Sequence, residues 1–87
     1  MAVEKPIQIS QHARFQMTER GIQESEVIAA IRQGDPEPAR AGRTMYRKTF
    51  EFKGTWRGRT YRLKQVGAVV ANEPDELVVV TVYAFYF

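Results

Sequence analysis

The run from Leu77 to Phe87 constrains the fold more than any other stretch of this chain. Read with the period of two that a strand imposes, it is apolar on both faces apart from Thr81 and the hydroxyls of Tyr83 and Tyr86. A strand without a polar face predicts a central position, with something packed on each side. The 87 residues give room for one small core. A composition of 44% hydrophobic and 26% charged residues excludes wholesale disorder, so 1–87 is read as one domain with 1–6 a flexible N-terminal arm.

The preceding elements follow from local signals. Ile7-Gln8-Ile9 alternates like a short strand or extended arm. Ser10 is an N-cap for a helix running to about Arg20, which Gly21 ends while Ile22 packs back on its last turn. A second helix is expected over 24–33, with Glu24 and Glu26 at its positive end and Val27, Ile28 and Ile31 as its buried stripe. Gly34-Asp35-Pro36 stops it, and 35–42 reads as a connecting loop. Strands are expected over 43–52 and 59–71, separated by a turn from Lys53 to Gly58, and Asn72-Glu73-Pro74-Asp75 turns the chain into the final strand. The expected class is α+β: two N-terminal helices on a three-stranded antiparallel meander, or a four-stranded one if Ile7–Ile9 joins it.

Function is constrained first by what is missing. Without cysteine there are no disulfides or thiolate ligands, and a single histidine argues against zinc; no metal or other cofactor is expected. No apolar run approaches the roughly 20 residues of a membrane helix, and Glu4 and Lys5 interrupt any signal-peptide core, so a cytoplasmic protein with no membrane partner is expected. Charge is the positive signal. Nine of the thirteen basic residues lie between Arg40 and Lys64 with Glu51 as the lone acid, giving that stretch +8 against −5 for the remainder. Tyr46, Phe50, Phe52, Trp56 and Tyr61 are threaded through it. Cations and aromatics on an extended scaffold suit RNA or another polyanion; a solvated sheet face that resists aggregation is the competing explanation.

Metal-free RNA cleavage needs a base for the 2′-hydroxyl, an acid for the leaving oxygen and cations for the phosphate. His12 is the default acid or base, because it alone has an unperturbed pKa near neutrality. Arg20 would steady phosphate charge, and one of Thr81 and Tyr83, two apart on one side of the last strand, would donate a hydrogen bond to a phosphate oxygen. Arg47, Lys48, Arg62 and Lys64 are the candidate nucleic-acid contacts, Arg62 and Lys64 being favoured because they align with Thr60. Trp56 either stacks on an unpaired base or folds back as a plug over the hairpin. For His12 a local structural role carries equal weight, and Arg20 is equally readable as a tie to Glu24 or Glu26.

His12-Ala13 at the start, Met17 in the middle and Arg20-Gly21-Ile22 at the close resemble the N-terminal signature of bacterial domain-of-unknown-function family 4258. Val80-Thr81-Val82-Tyr83 is similar to the same family's final strand. The residue before the methionine is often arginine in that family, whereas Gln16 stands here. The resemblance implies a helix-pair-then-sheet layout similar to RelE-like toxins and small microbial ribonucleases. The reading is therefore an RNA-directed protein, with toxin-type metal-independent ribonuclease as its enzymatic form. The alternatives are a non-catalytic nucleic-acid-binding module and an interaction domain that meets an acidic antitoxin-like protein or pairs with its own copy through the terminal strand.

Overall fold

The computed structural model of the chain describes residues 4–87. The C-terminal strand β5 (Leu77–Tyr86) lies inside the sheet as expected, but the sheet is larger than a meander. It has five strands in the order β1-β5-β4-β3-β2, comprising β1 (Ile7–Ile9), β2 (Asp35–Pro38), β3 (Thr44–Trp56) and β4 (Arg59–Asn72) besides β5. It is also mixed, because β1 pairs in parallel with the first residues of β5, Ile7 opposite Leu77 and Ile9 opposite Val79. The expected three or four antiparallel strands are thus corrected to five with one parallel pair.

The extra strand is β2, in the segment expected to be a loop. Asp35 and Glu37 each precede a proline, and the proline ring drives the residue before it into extended backbone. Pro36 and Pro38 are two apart, so their missing donors face the same way, and β3 on the other side still pairs with the strand. The outer edge is left poor in donors and blunted against further pairing. Strand β3 also runs beyond its expected end at Phe52. A bulge between Glu51 and Gly54 absorbs the register shift, and the hairpin closes through Arg57-Gly58 alone. Both residues have positive φ, 51° and 82°, as a type I′ turn requires.

Helix α1 (Gln11–Arg20) starts where Ser10 Oγ accepts from Ala13 N and ends at Gly21, whose φ of 68° is left-handed. Helix α2 (Glu24–Gln33) buries Val27, Ala30 and Ile31, whereas Ile28, expected inside, is 39% exposed. The i, i+3, i+4 stripe passes through Ala30 and leaves Ile28 about 100° round the helix. Both helices lie on one side of the sheet, α1 along β5 and α2 across β3 and β4. There Ala13, Met17, Ile22, Val27 and Ile31 meet Val66, Ala68, Val70, Val79 and Val82, with Tyr46 and Phe50 packed alongside. The other face of the sheet carries no helix, so the expectation of cover on both sides of the last strand fails. Of the expected flexible arm, residues 1–3 lie outside the described residues. Glu4 pairs with Arg32, Lys5 donates to Asn72 Oδ1 and the Glu73 carbonyl, and Pro6 O accepts from Leu77 N, which ties 4–6 to the domain.

Candidate nucleic-acid interface

The cross-strand register sets out the uncovered face in rows. Met45, Val69 and Thr81 form one, Arg47, Gly67 and Tyr83 the next, and Thr49, Gln65 and Phe85 a third. The middle row is filled at its centre: Gly67 is buried under the Met45 side chain, and a Cβ there would stand 3.0 Å from Met45 Sδ. On either side of Gly67 stand Arg47 on β3 and the aromatic pair Tyr83 and Phe85 on β5. Tyr83 is 36% exposed and Phe85 46%, with near-parallel rings (19°) whose centroids are 6.4 Å apart.

Guanidiniums bracket this aromatic pair. The Arg47 guanidinium lies 5.9 Å from the Phe85 ring centre, paired with Glu37 and donating to Gln65 Oε1. Arg20 lies 5.3 Å from the Tyr83 ring centre and donates to Val82 O. It can do both because β1 pairs only with the first part of β5, leaving Val82 on a free strand edge beside α1. Gln16, one turn earlier on α1, takes the other half of that edge: its Oε1 accepts from Val82 N at 3.0 Å and from the Thr81 hydroxyl. Over the Met45 row, Arg40, Arg43, Met45, Val69, Thr81 and Tyr83 line a cavity of about 290 Å³.

Arg20 is held in place by an unusually well-satisfied helix end. The carbonyls of Glu19, Arg20 and Gly21 accept from Arg57, the Tyr86 hydroxyl and Lys64 Nζ respectively. All three would otherwise be orphan acceptors at the negative end of the helix dipole. Burial raises the Tyr86 phenol above its ordinary range, the Glu26 carboxylate adds to this, and Arg57 opposes it. Trp56 stacks on Tyr86 with centroids 5.4 Å apart and covers Gly21, where a Cβ would come within 2.6 Å of the indole.

The residues singled out in the sequence therefore separate. Arg20, Thr81 and Tyr83 converge at the α1–β5 edge, and Arg47 lies one strand beyond β4 on the same face. His12 is exposed one turn before Gln16, about 12 Å along the helix axis from Arg20. Lys64 is 3% exposed with its ammonium bound to Gly21 O and Glu26, so it serves the helix end and the favoured alignment with Arg62 does not form a surface. Trp56 takes the plug arrangement. Lys48 lies on the helix-bearing face over Phe50, and Arg62 is exposed on β4 outside the three rows. Sequence reasoning missed Phe85, Gly67 and Gln16, and Arg40 and Arg43 as a pair. The period-two aromatics Tyr83, Phe85 and Phe87 were the available signal, obscured by the expectation of cover on both faces. Among the described residues no three metal-binding side chains cluster, and no helix is long and apolar enough to cross a membrane.

No curated protein and no solved structure matches the chain. A family model does, that of the Domain of unknown function (DUF4258), over residues 9–84. That span runs from the end of β1 through most of β5 and takes in Gln16, Arg20 and Tyr83, while Phe85 lies just past its end. With all but a few residues of the fold inside the match, the chain belongs to the DUF4258 family.

Proposed function

We propose that the uncovered sheet face binds single-stranded RNA. The observation that carries the reading is the exposed Tyr83–Phe85 pair bracketed by Arg20 and Arg47 on a face that no helix covers. Aromatic rings on an open sheet are stacking platforms for unpaired bases, and guanidiniums at their margins neutralise the backbone between those bases. A duplex keeps its bases stacked on one another, so the arrangement favours a single strand. Charge complementarity points the same way: Arg20 and Arg47 flank the aromatic pair and Arg40 and Arg43 line the neighbouring cavity, and of these only Arg47 is paired with a carboxylate among the described residues.

Titration of a short unstructured RNA by calorimetry tests this. Tyr83→Ala and Phe85→Ala should each weaken binding by about 1–3 kcal/mol. Unchanged affinity in both would move the RNA, if bound, off this face. The RelE-like or small-ribonuclease activity expected from the sequence gives reason to incubate the same RNA in EDTA. His12 stands far from the arginine pair and Thr81's hydroxyl is engaged by Gln16, which favours binding without turnover. Cleavage lost in His12→Ala would reverse that preference. Failure to bind RNA alongside tight capture of an acidic protein would transfer the face to a protein partner.

A further inference from the structure

We propose that the cavity lined by Arg40, Arg43 and Tyr83 on the uncovered face is a pocket for the terminal phosphomonoester of the bound strand, a deepening that rests on the RNA-binding reading. Three features carry it. The cavity lies over the Met45–Val69–Thr81 row and reaches Tyr83, beside the tight turn of the segment that links β2 to β3. Arg43 N donates to Arg40 O and Ala39 N to Arg43 O, so this short turn holds both guanidinium-bearing residues at one cavity. Its volume of about 290 Å³ falls near the lower bound of small-molecule pockets, about 300 Å³, which suits a phosphorylated sugar better than a longer piece of strand.

The charges distinguish a terminal group from an internal linkage. Arg40 and Arg43 have no carboxylate partner among the described residues, in contrast to Arg47, which Glu37 holds. An internal phosphodiester carries one negative charge. A phosphomonoester, with a second pKa of about 6, carries nearly two at neutral pH and offers three acceptor oxygens. Two forked guanidiniums match that dianion in charge and geometry. Tyr83 belongs to the cavity lining and also begins the aromatic pair, so a strand anchored here has its first base beside Tyr83 and its next beside Phe85, about one two-residue step along β5.

The test compares three hexauridylates by calorimetry: one with hydroxyls at both ends, one with a 5′-phosphate and one with a 3′-phosphate. The unaltered protein should bind one phosphorylated form about tenfold more tightly than the hydroxyl-ended strand at neutral pH, and the preferred form identifies the anchored end. Near pH 5, where the monoester is largely a monoanion, the ratio should shrink several-fold. In the double variant Arg40→Ala/Arg43→Ala the ratio should fall to about one. Both side chains are exposed, and a matching thermal melt checks that the fold is retained. A ratio of one in the unaltered protein, or an undiminished ratio in the variant, overturns the pocket while leaving the RNA-binding reading intact. Failure of all three strands to bind overturns both.

Discussion

At the scale of single residues, the fate of a cation is decided by which carbonyls and carboxylates stand within reach. Lys64 is a strand residue in the middle of a basic stretch, yet its ammonium is buried against Gly21 O and Glu26 because α1 ends directly above it. Tyr86 is its neighbour in that role, donating to Arg20 O at 2.7 Å. The raised phenol pKa has a definite consequence for stability. A folded-state pKa above the unfolded value of 10.0 means that Tyr86 contributes fully below pH 10 and that the contribution is lost as pH rises through the folded value. Tyr86→Phe should cost about 1 kcal/mol at neutral pH through the lost hydrogen bond. It should also have a shallower decline in stability above pH 10 than the unaltered protein. Urea denaturation of both proteins at neutral and alkaline pH checks this, and parallel alkaline declines would contradict it.

Elements follow local rules closely here, and their exceptions are instructive. Ser10 and Gly21 bounded α1 where expected, and β4 and β5 came within a residue or two of their expected bounds, while β3 ran on to Trp56 through the expected turn. The short element β2 was not legible as a strand, because Asp-Pro-Glu-Pro has poor ladder chemistry and becomes extended through sterics and an available partner in β3. In the pairing of α1 with the free edge of β5, acceptor and donor come from two side chains one turn apart. Gln16 offers an acceptor to Val82 N, which a guanidinium cannot do, while Arg20 supplies the donor for Val82 O. Gln16→Leu should therefore leave Val82 N–H unpaired and destabilise the protein by about 1–3 kcal/mol. It should also expose a strand edge, so size-exclusion chromatography should register concentration-dependent self-association. A variant as stable and as monomeric as the parent would show that α1 does not protect this edge.

For the whole molecule, the consequence of one-sided cover is a sheet with a core face and an open face. Basic residues divide between them. Lys64 belongs to the interior, while Arg20 and Arg47 flank the aromatic pair and Arg40 and Arg43 line the neighbouring cavity, Arg20 arriving from a helix outside the basic stretch. If those four meet phosphates, log affinity for RNA should fall against log salt with a slope of about −2 to −3. Lys64→Met should lower stability by about 2–4 kcal/mol by leaving Glu26 without its partner, and yet keep that slope. Calorimetry across a salt series reads both; a shallower slope in Lys64→Met would return Lys64 to the interface. Much of the fold was determined by the sequence alone, since caps, left-handed glycine, prolines and the period of two act between neighbours in the chain. Tertiary structure alone decided three things: that β1 pairs with β5 across nearly the full chain, that both helices take the same face, and that the aromatic end of the last strand is left open. Each depends on contacts between residues far apart in sequence, where the local pattern fixes what a side chain can do but not what it will meet.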